Sequence, residues 1–194
     1  LTGLEQAYQE LRAVGRAIER MEVAQSLEIY EEDWKVVLAG LEKAWNKAEQ
    51  HFKTLSPKFQ PWQGKYQRER KKLMYLSYLK QARHADAHSI QLMTSVMPGY
   101  VGLSAPNGGC LHIKSLRTDG NGRMIYEGSP AIIEERKPFP VAVKVLNQGV
   151  WYEPPATFED QFGTYSSPVH LAKAGLKYYI DFLDAAKQEF ASLE

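Results

Sequence analysis

Lys80-Gln81-Ala82-Arg83-His84-Ala85-Asp86-Ala87-His88 lies within a helix-forming run from about Gln63 to about Val96. The run stops before Pro98-Gly99, the expected end signal. Leu73, Leu76 and Leu79 fall on one side of the helical wheel, and Met74, Tyr78, Ala82 and Ala85 on the other. A helix apolar on two faces is usually buried on both. One side is expected to pack into a bundle and the other against a partner subunit.

Upstream, Leu4, Ala7, Leu11, Val14, Ile18 and Met21 recur at spacings of three and four, as do Trp34, Leu38, Leu41, Trp45, Ala48 and Phe52. Each stripe predicts an amphipathic helix, and Pro57 and Pro61 mark the connection to the third. Downstream, Tyr100 to Gly109 reads as an aperiodic link. Leu111 to Arg117 and Arg123 to Glu127 flank Thr118-Asp119-Gly120-Asn121-Gly122, a hairpin signal. Ala131 to Glu134, Val141 to Leu146 and Val150 to Glu153 read as further strands. Ser167-Pro168 opens a last helix as N-cap and first-turn proline, with Leu176, Tyr179, Ile180, Leu183, Ala186 and Phe190 as its core stripe.

The expected fold is therefore α+β and mainly α. It is an up-and-down four-helix bundle with a small antiparallel β-sheet inserted between helices 3 and 4. The bundle covers residues 1–97 and 167–194, and the β-rich insertion covers 98–166.

The 194 residues are 44% hydrophobic and 24% charged, ordinary values for a globular protein, and a formal charge of +1 leaves any nucleic-acid affinity to a local patch. A single cysteine, Cys110, excludes an intramolecular disulfide framework and a four-cysteine zinc site. No apolar run reaches membrane-spanning length. No basic stretch followed by an apolar one opens the chain, and its first residue is Leu rather than Met, which points to trimming. The expected location is the cytoplasm.

Arginine holds phosphate oxygens in a planar fork, and histidine moves protons near neutral pH. Arg83 and His88, with His84 between them, thus supply a minimal kit for cleaving a phosphodiester without metal. An arginine, an adjacent polar residue and a closing histidine on a late helix of a small bundle resemble the motif of the HEPN superfamily. Arg83, His84 and His88 match it, although the polar position is most often asparagine in that family. The resemblance is carried by Tyr78 to His88, extends over the helical portion and leaves out the β insert.

The resemblance implies a metal-independent endoribonuclease of toxin or defence type, without cofactor. It would act as a homodimer with the two motifs facing each other across the two-fold cleft, and a protein antitoxin or regulator is a further implied partner. His88 would serve as general acid or base on RNA, Arg83 would stabilise the phosphorane, and His84 would orient or bind phosphate. Five residues on a helix turn through about 500°, so Arg83 and His88 diverge by about 140° within one chain. The dimer answers that divergence only through the family likeness.

Other readings stand beside this one. Lys65, Arg68, Arg70, Lys71 and Lys72 open the third helix, and Lys65, Arg68, Lys72 and Lys80 share a broad sector of it with Arg83, which suggests a phosphate track for RNA. Positive charge at a helix start is mildly unfavourable, which hints at a purpose other than stability. The bland reading is a solvated helix face, with Arg83 paired to Asp86. His84 and His88, four apart, have the spacing of two metal ligands. Cys110, His112 or His170 would have to complete that site, and the metalloprotease glutamate is missing. The same helix could instead form a dimer interface in a non-catalytic, RNA-binding or interaction module. Trp34 and Trp45 read as core, Trp62 as packing over the helix connection, and Trp151 as filler at the sheet–bundle junction, with base stacking as its alternative.

Overall fold

In a computed structural model of the chain, which describes residues 2–160 and 163–190, the long third helix is two helices. The helical elements are α1 (Gly3–Glu22), α2 (Leu27–Leu55), α3 (Phe59–Lys72), α4 (Met74–His88) and α5 (Pro168–Phe190). Leu73 separates α3 from α4 with an extended backbone, φ −74° and ψ 117°. Neither glycine nor proline stands there. The burial pattern supplies the reason. Phe59, Gln63 and Arg70 are the buried positions of α3, and Leu76, Tyr78, Leu79, Ala82 and Ala85 those of α4. At about 100° per residue these stripes are out of phase by roughly 130°. One straight helix cannot bury both, and the break at Leu73 re-aims the chain between them.

The two sides of α4 also find partners within the chain. Tyr78 is fully buried, and its hydroxyl donates to the carbonyl of Val143 at 2.7 Å. The face expected to await a second subunit is thus covered by the chain's own segment near Val143.

The other helices follow their sequence signals. Thr2 and Ser26 cap α1 and α2 by accepting from the backbone N–H of Glu5 and Ile29. The α1 stripe from Leu4 to Met21 is buried against α2. Gly40 permits that approach, because a Cβ there would stand 2.5 Å from Val14 Cγ2. Gly175 does the same for α5 against α4, where a Cβ would meet Leu79 Cδ1 at 2.7 Å. Pro168 opens α5 with Ser167 accepting at its first turn. The α5 stripe turns slightly from the expected one: Leu171, Ala172, Tyr179, Phe182, Leu183, Ala186 and Phe190 are buried, while Leu176 and Ile180 are only partly so. Among the described residues no helix is long and apolar enough to cross a membrane.

The β structure corrects the expected fold. Among the described residues there are five α-helices and one short 3-10 turn (Pro106–Gly108), and in place of one inserted sheet there are five two-stranded pairs. The strands are β1 (Thr94–Met97), β2 (Tyr100–Ser104), β3 (Ile113–Thr118), β4 (Met124–Gly128), β5 (Ile132–Arg136), β6 (Phe139–Ala142), β7 (Val145–Asn147), β8 (Val150–Tyr152), β9 (Phe158–Asp160) and β10 (Gly163–Tyr165). They pair as β1–β6, β2–β5, β3–β4, β7–β8 and β9–β10. The strands are three to six residues long. The expected strand from Val141 to Leu146 is split between β6 and β7.

The chain divides into two compact units, residues 1–95 with 140–194, and residues 96–139. The first contains all five helices, with β7–β10. Segment 140–166 therefore clusters with the helices. The second is a nested ribbon in which β2 pairs with β5 outside the β3–β4 hairpin. Its turn is the one expected at Asp119 to Gly122. Asp119 Oδ1 accepts from the backbone N–H of Asn121 and Arg123, and Gly122 takes φ 79°. Among the described side chains of 96–139, none is buried.

Candidate functional site

The C-terminal half of α4 carries the expected site. The apolar side of α4 faces the core, which leaves His88, His84, Lys80, Ala87 and Arg83 in that order around the remaining arc. His84 and His88 lie one turn apart with rings nearly parallel, 6.4 Å between centroids. Arg83 and His88 bound opposite ends of the arc. Within one chain the structure therefore brings the two histidines together and leaves Arg83 apart from His88.

Asp86 is the only carboxylate between Lys80 and His88. It faces away from this arc and pairs with Lys35 of α2 at 3.8 Å rather than with Arg83. Neither Lys80 nor Arg83 makes a hydrogen bond or ion pair among the described residues. The positive field is felt by His84. Partial burial pushes its imidazole below the ordinary value, and Lys80 and Arg83 push it further, against a weaker opposing pull from Glu42. A neutral imidazole flanked by cations is a proton acceptor whose protonation would be favoured by an arriving anion.

α4 ends at Ser89, whose hydroxyl donates to the Ala85 carbonyl at 2.8 Å. Beyond it the side-chain amide of Gln91 binds the edge of β7. Its Oε1 accepts from the Leu146 N–H and its Nε2 donates to the Leu146 carbonyl, each at 2.9 Å. Asn147 Nδ2 donates to Gln81 Oε1 of α4 at 2.6 Å. These bonds fix the β7–β8 hairpin beside the helix end. Its two-residue turn, Gln148-Gly149, has φ of 49° and 77°, the positive values a tight hairpin turn demands. Between helix end and turn lies an open groove of about 540 Å³, lined by Ala85, His88, Ser89 and residues 146–149. His88 is thus the one motif residue that lines it.

The basic stretch of the third helix has a different setting from the one expected. Arg70, Lys71 and Lys72 form the last turn of α3, where cations complement the helix dipole. Their placement needs no purpose beyond stability. Arg70 is buried, pairs with Glu42 at 2.5 Å and lies 4.1 Å from the centre of the Trp45 ring. Lys65 rests over Tyr66 at 4.6 Å and Trp62 at 5.6 Å. Because Leu73 interrupts the helix, Lys65, Arg68 and Lys72 lie on α3 and Lys80 on α4. The shared sector of one wheel does not exist, and Lys80 is the member that stands beside Arg83.

Among the described residues no three of His, Cys, Asp or Glu come together in a group that could hold a metal ion, so His84 and His88 gain no third ligand. Trp151, expected to fill the sheet–bundle junction, stands instead at the surface. It is 53% exposed, and Lys144 Nζ stands 4.9 Å from the centre of its ring. The period-two alternation of β8, with Tyr152 packed on the core, could have shown that Trp151 points the other way. The chain matches no family model, no curated protein and no solved structure. The HEPN likeness therefore rests on the residues from Tyr78 to His88.

Proposed function

We propose that the arc of α4 from Arg83 to His88, half-buried at Lys80, Arg83 and His84 and exposed at His88, binds the phosphodiester backbone of RNA and, in a homodimer, cleaves it without metal. The observation that carries this reading is the turning of Asp86 to Lys35. It leaves Lys80, Arg83, His84 and His88 as an arc of bases with no carboxylate of α4 among them, the Glu42 carboxylate of α2 acting on His84 more weakly than the two cations do. The divergence of Arg83 from His88 makes one chain insufficient for the chemistry. A two-fold partner that lays its own α4 along this arc would pair Arg83 of one protomer with the other's His88.

In that cleft one His88 takes the proton of a ribose 2′-hydroxyl as the oxygen attacks phosphorus. The P–O5′ bond breaks, and the second protomer's His88, protonated, gives its proton to the leaving oxygen. A 2′,3′-cyclic phosphate and a 5′-hydroxyl result. Each proton transfer contributes about 10²–10⁴ in rate, and Arg83 on the phosphorane on the order of 3 kcal/mol. RNA is required, because DNA lacks the internal nucleophile.

The same divergence favours a second reading, in which the arc binds RNA and does not cut it. Incubating a mixed RNA pool with the protein in excess EDTA separates the two, with Arg83→Ala and His88→Ala compared by size as well as by activity. Cleavage that both substitutions abolish with the dimer intact supports catalysis. Retention without cleavage supports binding alone. Neither cleavage nor retention by a folded dimer removes both.

A further inference from the structure

The β7–β8 hairpin supports a second contact with the same ligand, an inference that rests on the RNA reading of α4. Leu146 and Trp151 are register partners, so their side chains leave the same face of the hairpin. The opposite face carries Val145, which is fully buried, and Tyr152, which packs on the core. The outward face consequently presents a half-exposed indole, with an ammonium group over it. Core filling does not account for that ring. Leu146 itself lines the groove that His88 and Ser89 share with the hairpin turn. Trp151 thus sits one strand away from the groove.

We infer that Trp151 is a stacking platform for an unpaired base of single-stranded RNA, with Lys144 serving the adjoining phosphate. Three features select this occupant. An indole accepts the face of any base, and a base has more surface to offer it than a lysine ammonium does. Lys144, displaced from the ring on its flexible stem, stays within reach of the backbone that follows the base. The groove beside His88, one strand away from Trp151, is lined by the polar residues Ser89, Asn147 and Gln148, a kind of lining that suits base edges and sugar hydroxyls. A duplex holds its bases inside and has no face to give the ring. The platform therefore selects single strands, and it fixes which nucleotide lies at the end of α4.

The test is fluorescence anisotropy with the full chain in EDTA and a labelled 2′-O-methyl oligonucleotide of about 12 nucleotides. That probe cannot be cleaved through its 2′ position. Trp151→Ala should weaken binding about tenfold, as loss of one stacked base does. Trp151→Phe, which keeps a ring, should restore most of it. The wild type should also bind an abasic oligonucleotide about tenfold more weakly, and on that probe Trp151→Ala should lose nothing more. The abasic comparison needs no variant and holds even if Trp151→Ala folds poorly.

Equal binding by wild type and Trp151→Ala, with Arg83→Ala weakened, would overturn the platform and leave the α4 reading in place. Weakening by Trp151→Ala with Arg83→Ala unaffected would do the reverse. Equal affinity for a duplex overturns the platform. So does a loss of self-association in Trp151→Ala with RNA binding intact, which would make this face a contact between copies of the chain. No binding by the wild type overturns both.

Discussion

The helical unit and the 96–139 ribbon are built from similar proportions of apolar residues but hold together by different means. In the helical unit Trp34, Tyr78, Phe52, Phe59 and Phe182 are buried almost completely, and rings from α2, α3 and α5 stack on one another. Phe182 lies 4.6 Å from Trp45 and 5.0 Å from Tyr66 between ring centroids. In the ribbon seven large apolar side chains are exposed: Val96, Val101, Ile113, Leu116, Ile125, Ile132 and Ile133. What holds it is its backbone ladder, the Asp119 turn, the Lys114–Glu127 pair across the strands and Arg136 over Tyr100 and Phe139. Two-stranded ribbons of this kind are marginal in water by themselves. The difference teaches that pairing of strands and burial of side chains are separable.

The largest effect that would sharpen this contrast is at Phe182. Phe182→Ala should cost about 3–5 kcal/mol in chemical denaturation, whereas Ile133→Ala in the ribbon should change stability by less than about 0.5 kcal/mol. Hydrogen exchange on the two variants should show α5 amides accelerated by the first and by no measurable amount by the second. Comparable losses at the two positions would mean that the ribbon has a core of its own.

Next in size is a comparison of two ion pairs. Glu42→Ala leaves the Arg70 guanidinium enclosed with its Nε already lacking a partner and should cost about 3 kcal/mol. Glu127→Ala removes the partner of Lys114, where both side chains are more than half exposed, and should cost less than about 1 kcal/mol. Equal costs, read from urea midpoints, would break the comparison. Gly40→Ala should then cost about 1–3 kcal/mol, since its Cβ would press on Val14 where α1 and α2 meet. An unchanged melting temperature would show that the two helices have room to separate.

The smallest effect is the pH response of His84. Its pKa in the folded protein lies below the ordinary value of 6.5. As pH falls through that value the unfolded chain therefore takes up the proton first, and stability is lost on acidification. Above it the group contributes no pH dependence. His84→Gln should flatten the decline in melting temperature between about pH 7 and about pH 5. A decline as steep as that of the wild type would assign it to other groups.

Much of the helical unit was legible because its signals are local. The α1 and α2 stripes, the Ser167-Pro168 start and the Asp119–Gly122 turn each depend on a few neighbouring residues. The break at Leu73 was not legible in the same way. Its cause is a change in which side faces the core, and that is set by α2, α5 and the 140–147 segment rather than by any residue at the break. The strand from Tyr100 to Ser104 was hidden because both its faces are largely open to solvent, so no alternation of polar and apolar residues was required of it. At the site, the cations of α4 could be read, but not where their carboxylates went. Asp86 lies three residues from Arg83, yet its partner Lys35 comes from another helix. The basic run at Arg70 misled for a related reason: a helix end was taken for a helix beginning, which reverses the sign of the dipole argument.

Gln91 has one more consequence. Its amide presents to Leu146 one donor and one acceptor at the spacing another strand would offer. With β8 on the other side, β7 has no open flank left at Leu146 for a foreign strand to join. A short hairpin with an exposed tryptophan and leucine is otherwise a template for unwanted growth into larger aggregates. A single side chain thus occupies the β7 backbone edge beside that apolar surface and takes it out of reach of a foreign strand.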